Sequence, residues 1–235
     1  MKNLSNFFLS IIQKFIEIVS YIFSNNLNEK KYIKNKLSHD SDLVVFDVGA
    51  NLGAYSKLLN DIFVNKNIFF HLFEPNKSLN QFINKRLKGL DYIVNNVAIS
   101  DINGHSNFYI NKISSQSSLV SKPNFVGKIE NEIKISTLRL DTYIQSKIIN
   151  KIDILKIDVE GSELKVLNSL GKILEDNLVK IIKIEIQFEE RDNLQKIINF
   201  LNNFGYFLDG FTNVKYFNNK LLFVDAYFSA YKNEK

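Results

Sequence analysis

Asp47, Gly49, Asn51 and Gly53 lie within one seven-residue run, DVGANLG, and Glu74 follows 21 positions beyond Gly53. The run comes directly after the β-branched apolar stretch LVVF, so it describes a strand that turns sharply into a helix. Glycines at such a turn let a ligand come close to the backbone. The G-x-G-x-x-G pattern of dinucleotide sites lacks its middle glycine here, because Asn51 stands in its place. No Gly-Lys-Ser/Thr follows, which counts against a phosphate loop. The ligand that suits this turn tolerates a nearby acid and needs no phosphate cradle.

A cationic nucleoside such as S-adenosylmethionine meets both conditions, since carboxylates such as Asp47 favour its sulfonium and ammonium groups. Glu74 adds to this, because its offset matches the roughly 20 residues at which an acid receives ribose hydroxyls in nucleotide-binding α/β folds. The other reading of Glu74 is a helix-start acid beside Pro75. A second chemical stretch is KIDVEGSE, residues 156–163. A strand that buries Lys156 and ends in Asp158, Glu160 and Glu163 is unusual for a purely structural element. Gly161 permits a tight turn, Ser162 is placed to cap the next helix, and Glu163 suits a helix N-terminus for dipole reasons. Asp158 is expected over the reactive end of the ligand.

An alternation of strands and helices can position these residues. Strands are expected at 43–48, 67–73, near 91–97, at 151–159 and at 180–188. Helices are expected from Ala54 to Phe63, after Pro75 to Lys88, over SELKVLNSL, and at 192–203. This pattern predicts an α/β fold, a mostly parallel sheet with helices on both faces. Ligands of such sheets bind outside the carboxyl ends of the strands, where strand order reverses. Four of the five expected strand ends carry a carboxylate, through Asp47, Glu74, Asp158 with Glu160, and Glu185. Residues 100–137 break the alternation and read as a hairpin-and-loop region inserted over the sheet, where the second substrate is chosen. The C-terminal stretch reads as two strands joined by a turn at Asn218-Asn219, a closing antiparallel β-hairpin.

Composition narrows the chemistry further. The 235 residues fit one domain with a short appendage, and no Cys is present, which excludes disulfides and thiolate chemistry. The net charge of +5 is spread evenly, with no clustered basic stripe, so a nucleic-acid partner is not expected. His39, His71 and His105 are scattered and form no metal-ligand set, and His71 is expected inside the second strand. Asp158, Glu160 and Glu185 offer hard oxygen ligands but no clustered acidic motif, so no metal is expected. Residues 6–23 place Phe8, Ile11, Ile12, Phe15, Ile18, Val19 and Ile22 at helical spacing, interrupted by Gln13, Lys14 and Glu17. They read as an amphipathic helix, docked on the domain or a second subunit, or lying on a membrane surface. They do not read as a spanning helix or a secretory signal.

The motifs FDVGANLGAYS, FEPN, NVAISD, SSQSSL, LDTYI, IDILKIDVEGSELKVL and IIKIEI resemble, in order and spacing, those of FkbM-type methyltransferases. The resemblance covers roughly residues 43–190, and VLNSLG departs from it by a later glycine. It implies a Rossmann-like class I methyltransferase fold with a seven-stranded sheet over residues 41–235, behind an N-terminal helical extension at 1–40. It also implies S-adenosyl-L-methionine as donor and O-methylation of a sugar, glycan or small-metabolite hydroxyl. On this reading Asp47, Gly49, Asn51 and Gly53, with Tyr55 beside them, form the methionine-side wall. Glu74 holds the ribose, Asn96 to Ala98 line the adenine, and Asp158 and Glu160 face the transferred methyl. Methyl transfer to a hydroxyl is an in-line displacement that needs alignment and a base. Asp158 or Glu160 is expected in that role, with His105 as the alternative base near a hairpin turn. An RNA methyltransferase and a non-catalytic membrane-peripheral or scaffold protein are the rival readings. The expected location is cytoplasmic, with membrane association at the inner face through residues 6–23.

Overall fold

The computed structural model describes residues 29–111, 117–119, 129–188 and 193–230. The chain divides into two units, Met1–His39 and Asp40–Lys235. In the first, residues 29–36 form helix α1. The amphipathic stretch 6–23 lies outside the described residues. No helix among the described residues is long and apolar enough to cross a membrane.

The second unit begins with β1 (Asp42–Val48), α2 (Ala54–Ile62), β2 (Asn67–Phe73), α3 (Asn80–Arg86) and β3 (Asp91–Asn95). An inserted region follows, with β4 (Ala98–Ile99), β5 (Gly104–Asn111) and β6 (Ile129–Leu138). Then come α4 (Leu140–Ser146), β7 (Ile152–Ile157), α5 (Glu163–Asn168), α6 (Lys172–Glu175), β8 (Val179–Gln187) and α7 (Asn193–Asn202). The hairpin β9 (Tyr206–Phe217) and β10 (Lys220–Ala230) closes the unit.

Seven strands make one sheet in the order β3-β2-β1-β7-β8-β10-β9. The first five are mutually parallel, and β10 runs antiparallel to both β8 and β9. The hairpin turn is the pair Asn218 and Asn219, at φ 48° and 60°. Two consecutive left-handed residues are what a two-residue type I′ turn requires, and Asn tolerates them well. From β1 the chain winds outward through β2 to β3, then returns to β7 beside β1 and winds the other way. Right-handed crossovers in opposite directions put the connecting helices on opposite faces. The order reverses between β1 and β7.

Period-2 alternation sorts the central strands into two kinds of face. Phe46, Val48, Leu155, Ile157, Ile182 and Ile184 join one core cluster with Leu140, Tyr143, Val166 and Leu167 from α4 and α5. The intervening register row is polar, with Asp47 opposite Lys156 and Lys156 opposite Lys183. All six residues of β7 are buried, Lys156 included. A buried charge has to be paired, so this row already requires ion pairs across the switch point.

Two sequence expectations change. The strand expected near 91–97 stops at Asn95, and Ala98–Ile99 instead pairs with β6 in a separate sheet of order β4-β6-β5. The asparagines at the break turn the chain by satisfying neighbouring backbone: Asn95 donates to the Leu72 carbonyl and Asn96 to the Glu74 carbonyl. Helix α4 was not expected, because its seven residues are too few to show a helical period. The inserted hairpin is present as β5 and β6, with Phe108, Ile135 and Ala98 in a small core of its own.

Candidate active site

Gly49 opens the loop after β1 at φ 80°, and Asn51 and Gly53 also take positive φ, 47° and 71°. The Gly49 and Ala50 amides donate to the Phe73 carbonyl at 3.0 and 3.2 Å, so the loop follows the end of β2. Across the switch point the Asp158 amide continues the ladder by donating to the Val48 carbonyl at 3.0 Å. The two backbones are so close that a Cβ on Gly49 would lie 1.8 Å from the Asp158 carbonyl oxygen. Only glycine fits there.

Lys156 ties the two loop ends together. Its ammonium lies 3.1 Å from Asp158 Oδ2 and 3.2 Å from Asp47 Oδ1, and it donates to the Gly49 carbonyl at 3.2 Å. Burial pulls its pKa down, but the Asp158 and Asp47 carboxylates outweigh that and hold it above the usual lysine value. Asp47 is fully buried and also accepts from Ser56 Oγ at 2.8 Å, which anchors the first turn of α2. Its carboxylate thus holds the loop from behind rather than facing a ligand.

Glu74 is the carboxylate that faces the cleft from β2. One oxygen accepts the Asn51 amide at 2.9 Å and the other the Asn76 amide at 2.8 Å. Burial raises its pKa to about 7, against the lowering effect of those two amides. Two adjoining clefts, of about 370 and 390 Å³, share Gly49, Glu74, Phe108, Ser117 and Asp158 in their walls. The more polar one adds Asn51, Asn76 and Glu160. The more apolar one adds Phe73, Pro75, Val97, Ala98 and Leu119. Asn51 Oδ1 is buried without a hydrogen-bond partner among the described residues.

The loop after β7 presents the remaining acids. Glu160 is in the left-handed region at φ 57°, followed by Gly161 at 100°. For a residue with a Cβ that conformation costs about 1–2 kcal/mol, and such strain gathers at functional turns. Gln187, at the end of β8, donates its amide to the Glu160 carboxylate. Ser118, from the inserted region, donates to the Glu160 carbonyl at 2.8 Å. Glu163 reaches back to accept the Gly161 amide at 2.7 Å. Ser162, expected as a side-chain cap, makes no cap hydrogen bond, and its buried Oγ has no partner among the described residues. Glu163 takes over the task of holding the turn.

Asp158, Glu160 and Glu185 each bring a carboxylate oxygen within 4.8 Å of the others. Burial raises the pKa of Glu185 to about 9, helped by Asp158, Glu160 and Asp225 and opposed by Lys156. Three such carboxylates share a proton or receive a cation, since all three cannot comfortably ionise together. In the sequence they stand at strand ends with no clustered metal motif, and the neighbouring ends of β7 and β8 gather them.

Other expected residues take different places. Tyr55 is buried at the start of α2, with Lys183 Nζ 4.5 Å from its ring centre, behind the loop. Gly53 sits over Leu87 as the residue before α2. Asn96 hydrogen-bonds Asn80 and the Glu74 carbonyl, whereas Ala98 lines the apolar cleft. His105 is exposed on β5, opposite Ser136, and three residues from Phe108 it points to the other face of that strand. His71 is buried in β2 as expected, its Nδ1 2.8 Å from the Tyr143 hydroxyl, and burial lowers its pKa to about 4. Sequence reasoning assigned no role to Ser56, Phe108, Ser118 or Gln187, nor any partner to Lys156. Only Lys156 carried a signal: a charge inside an apolar strand must have partners.

The sequence model of the Methyltransferase FkbM domain matches residues 47–208. The chain belongs to this family. No curated protein matches it by sequence. Among solved structures, Methyltransferase FkbM from Methylobacillus flagellatus KT aligns with a TM-score of 0.56 at 15% identity. That alignment covers 80% of this chain and 44% of the other, so the chain spans less than half of that protein's length. An rRNA methylase from Streptococcus thermophilus aligns with a TM-score of 0.51 at 12% identity, over 87% of this chain and 95% of that one. The METTL16 methyltransferase domain does so with a TM-score of 0.51 at 11% identity, over 88% and 68%. At these identities the likeness is one of fold. This member of the FkbM family therefore has the Rossmann-like class I methyltransferase fold, with the loop after β1 and the loop after β7 flanking its cleft.

Proposed function

We propose that the protein transfers a methyl group from S-adenosylmethionine to a hydroxyl of a sugar, a glycan or a small hydroxylated metabolite. The observation that carries this reading is Glu74, a buried carboxylate at the junction of a polar and an apolar cleft. Each Glu74 oxygen accepts a single backbone amide, and its remaining lone pairs suit a ribose diol. The apolar cleft, with Phe73, Val97, Ala98, Phe108 and Leu119, suits a purine base. The polar cleft, with Asn51 and its unpartnered Oδ1, suits the amino-acid half. The donor, when bound, supplies an electrophilic methyl on a sulfonium centre. Asp158 and Glu160 stand at that end, attract the positive charge and take up the proton of the attacking hydroxyl.

Among the described residues, the charged groups in the two cleft walls are Glu74, Asp158 and Glu160, all acidic. Such walls repel a phosphodiester backbone and suit a neutral, hydroxyl-rich acceptor. Calorimetry should detect S-adenosylhomocysteine binding by the wild-type protein. Glu74→Ala should weaken it roughly 10–100-fold, the worth of one or two charge-assisted hydrogen bonds to the ribose. Unchanged affinity in that variant would remove Glu74 from the cofactor site. A screen of labelled methyl transfer to nucleotide-sugars and oligosaccharides tests the acceptor class, with transfer to neutral oligosaccharides expected to be favoured and insensitive to salt. Transfer to RNA that falls steeply with salt would reassign the acceptor.

A further inference from the structure

Lys156 is nearly buried, its side chain 10% exposed, and nothing in the chemistry of transfer uses it directly. Its three oxygen partners come from three different pieces of the site. Asp47 ends β1, Gly49 opens the glycine loop, and Asp158 follows β7. The Tyr55 ring, centred 5.8 Å from the ammonium, flanks it as well. The same two backbones touch at Gly49 and Asp158, where a single added carbon would collide. Lys156 thus bridges the point where the two walls of the donor cleft meet. Asp158 gives one oxygen to Lys156 and remains 29% exposed, so the rest of its carboxylate is open to the cleft.

We propose that Lys156 is a positioning residue for the methyl donor: one buried ammonium fixes the glycine loop against Asp158 and aims that carboxylate at the donor's cationic end. The ammonium occupies the place that a bound cation would otherwise fill between Asp47, Asp158 and the Gly49 carbonyl. Because it is part of the chain, the spacing between the loops is set before the donor arrives, and binding need not organise it. This inference rests on the S-adenosylmethionine reading of the cleft.

The test is a double-mutant cycle read as ligand affinity. Lys156→Met, Asp158→Asn and the double variant are titrated by calorimetry with S-adenosylhomocysteine and with sinefungin, which carries an amine near the methyl position. Lys156→Met is expected to weaken sinefungin, which carries the positive charge, at least tenfold. S-adenosylhomocysteine is a neutral thioether at that place and should be affected less. In the Asp158→Asn background the same change should weaken sinefungin by less than threefold, because the group being positioned is already altered. A purely structural lysine would lower the melting temperature and leave this coupling below twofold, which overturns the proposal. If Met prevents folding, Lys156→Gln, which keeps length and a donor for the Gly49 carbonyl, goes through the same cycle with the same criterion. Failure of both variants to fold would assign Lys156 to the fold alone. A wild-type protein that binds neither ligand overturns the donor reading itself, whatever the variants do.

Discussion

Gly49→Ala is expected to abolish S-adenosylhomocysteine binding and to destabilise the protein by roughly 3 kcal/mol or more. Two effects add, a left-handed backbone that disfavours Cβ and an overpacking term, each about 1–3 kcal/mol. The new carbon would lie 1.8 Å from the Asp158 carbonyl oxygen and 2.8 Å from its carbon, both backbone atoms. Neither strand can yield easily, because Asp158 is held by the Val48 carbonyl and by Lys156. Two other glycines separate the terms. Gly89 has φ 84° with nothing within 4 Å of the added carbon, so Gly89→Ala should lose only about 1 kcal/mol. Gly53, at φ 71°, meets only side-chain carbons of Leu87, at 3.4 and 3.5 Å, and of Ile83, at 3.7 Å, and should fall between. Denaturant unfolding of the three variants measures the order. A Gly49→Ala protein as stable as Gly89→Ala, with intact ligand binding, would mean that the loops are not packed as described.

The contrast between these glycines shows where sequence reasoning reaches and where it stops. Gly49, Asn51 and Glu74 were legible because strand–turn–helix chemistry is local and the offset to the next strand end is nearly constant in α/β units. The strand at 67–73 and the Asn218-Asn219 turn were legible for the same reason: each is written within a few residues. What could not be read was lateral. The register that sets Asp47 against Lys156 joins residues more than a hundred positions apart, and Lys156 in turn lies opposite Lys183. The gathering of Asp158, Glu160 and Glu185 depends on β8 lying beside β7 and on a left-handed turn at Glu160. Strand-end reasoning grouped the three acids as oxygen ligands, but only this pairing and this turn bring them within reach of one another. Asp47 illustrates the consequence. Its type and place announced a site, but the buried register row turned its carboxylate toward Ser56 and Lys156 instead of toward the cleft.

Replacing Glu185 by Gln is expected to stabilise the protein at pH 8 while impairing methyl transfer. The pKa of Glu185 is raised from 4.5 to about 9, by burial first and then by Asp158, Glu160 and Asp225. A raised carboxyl pKa means that the folded chain holds the proton more tightly than the unfolded one. The stability this contributes is fully present below pH 4.5 and is lost as pH rises toward 9. Glutamine keeps the shape and never ionises. Over the 3.5 pH units from pH 4.5 to 8 the loss for glutamate is at most about 5 kcal/mol. At pH 8 glutamine should therefore gain several kcal/mol and roughly 10 °C in melting temperature, whereas at pH 4.5 the two proteins should match. S-adenosylhomocysteine affinity should stay within threefold, because Glu74 and the glycine loop are untouched. Turnover on the acceptor found by the screen should fall at least tenfold, since the carboxyl cluster that takes up the hydroxyl proton has lost a member. Opposite signs for stability and turnover are the mark of a group kept for chemistry at the expense of the fold. Equal stabilisation at both pH values would show that ionisation is not the source of the strain. A loss of stability at pH 8 would show that Glu185 is a structural acid, and the cluster would then consist of Asp158 and Glu160 alone.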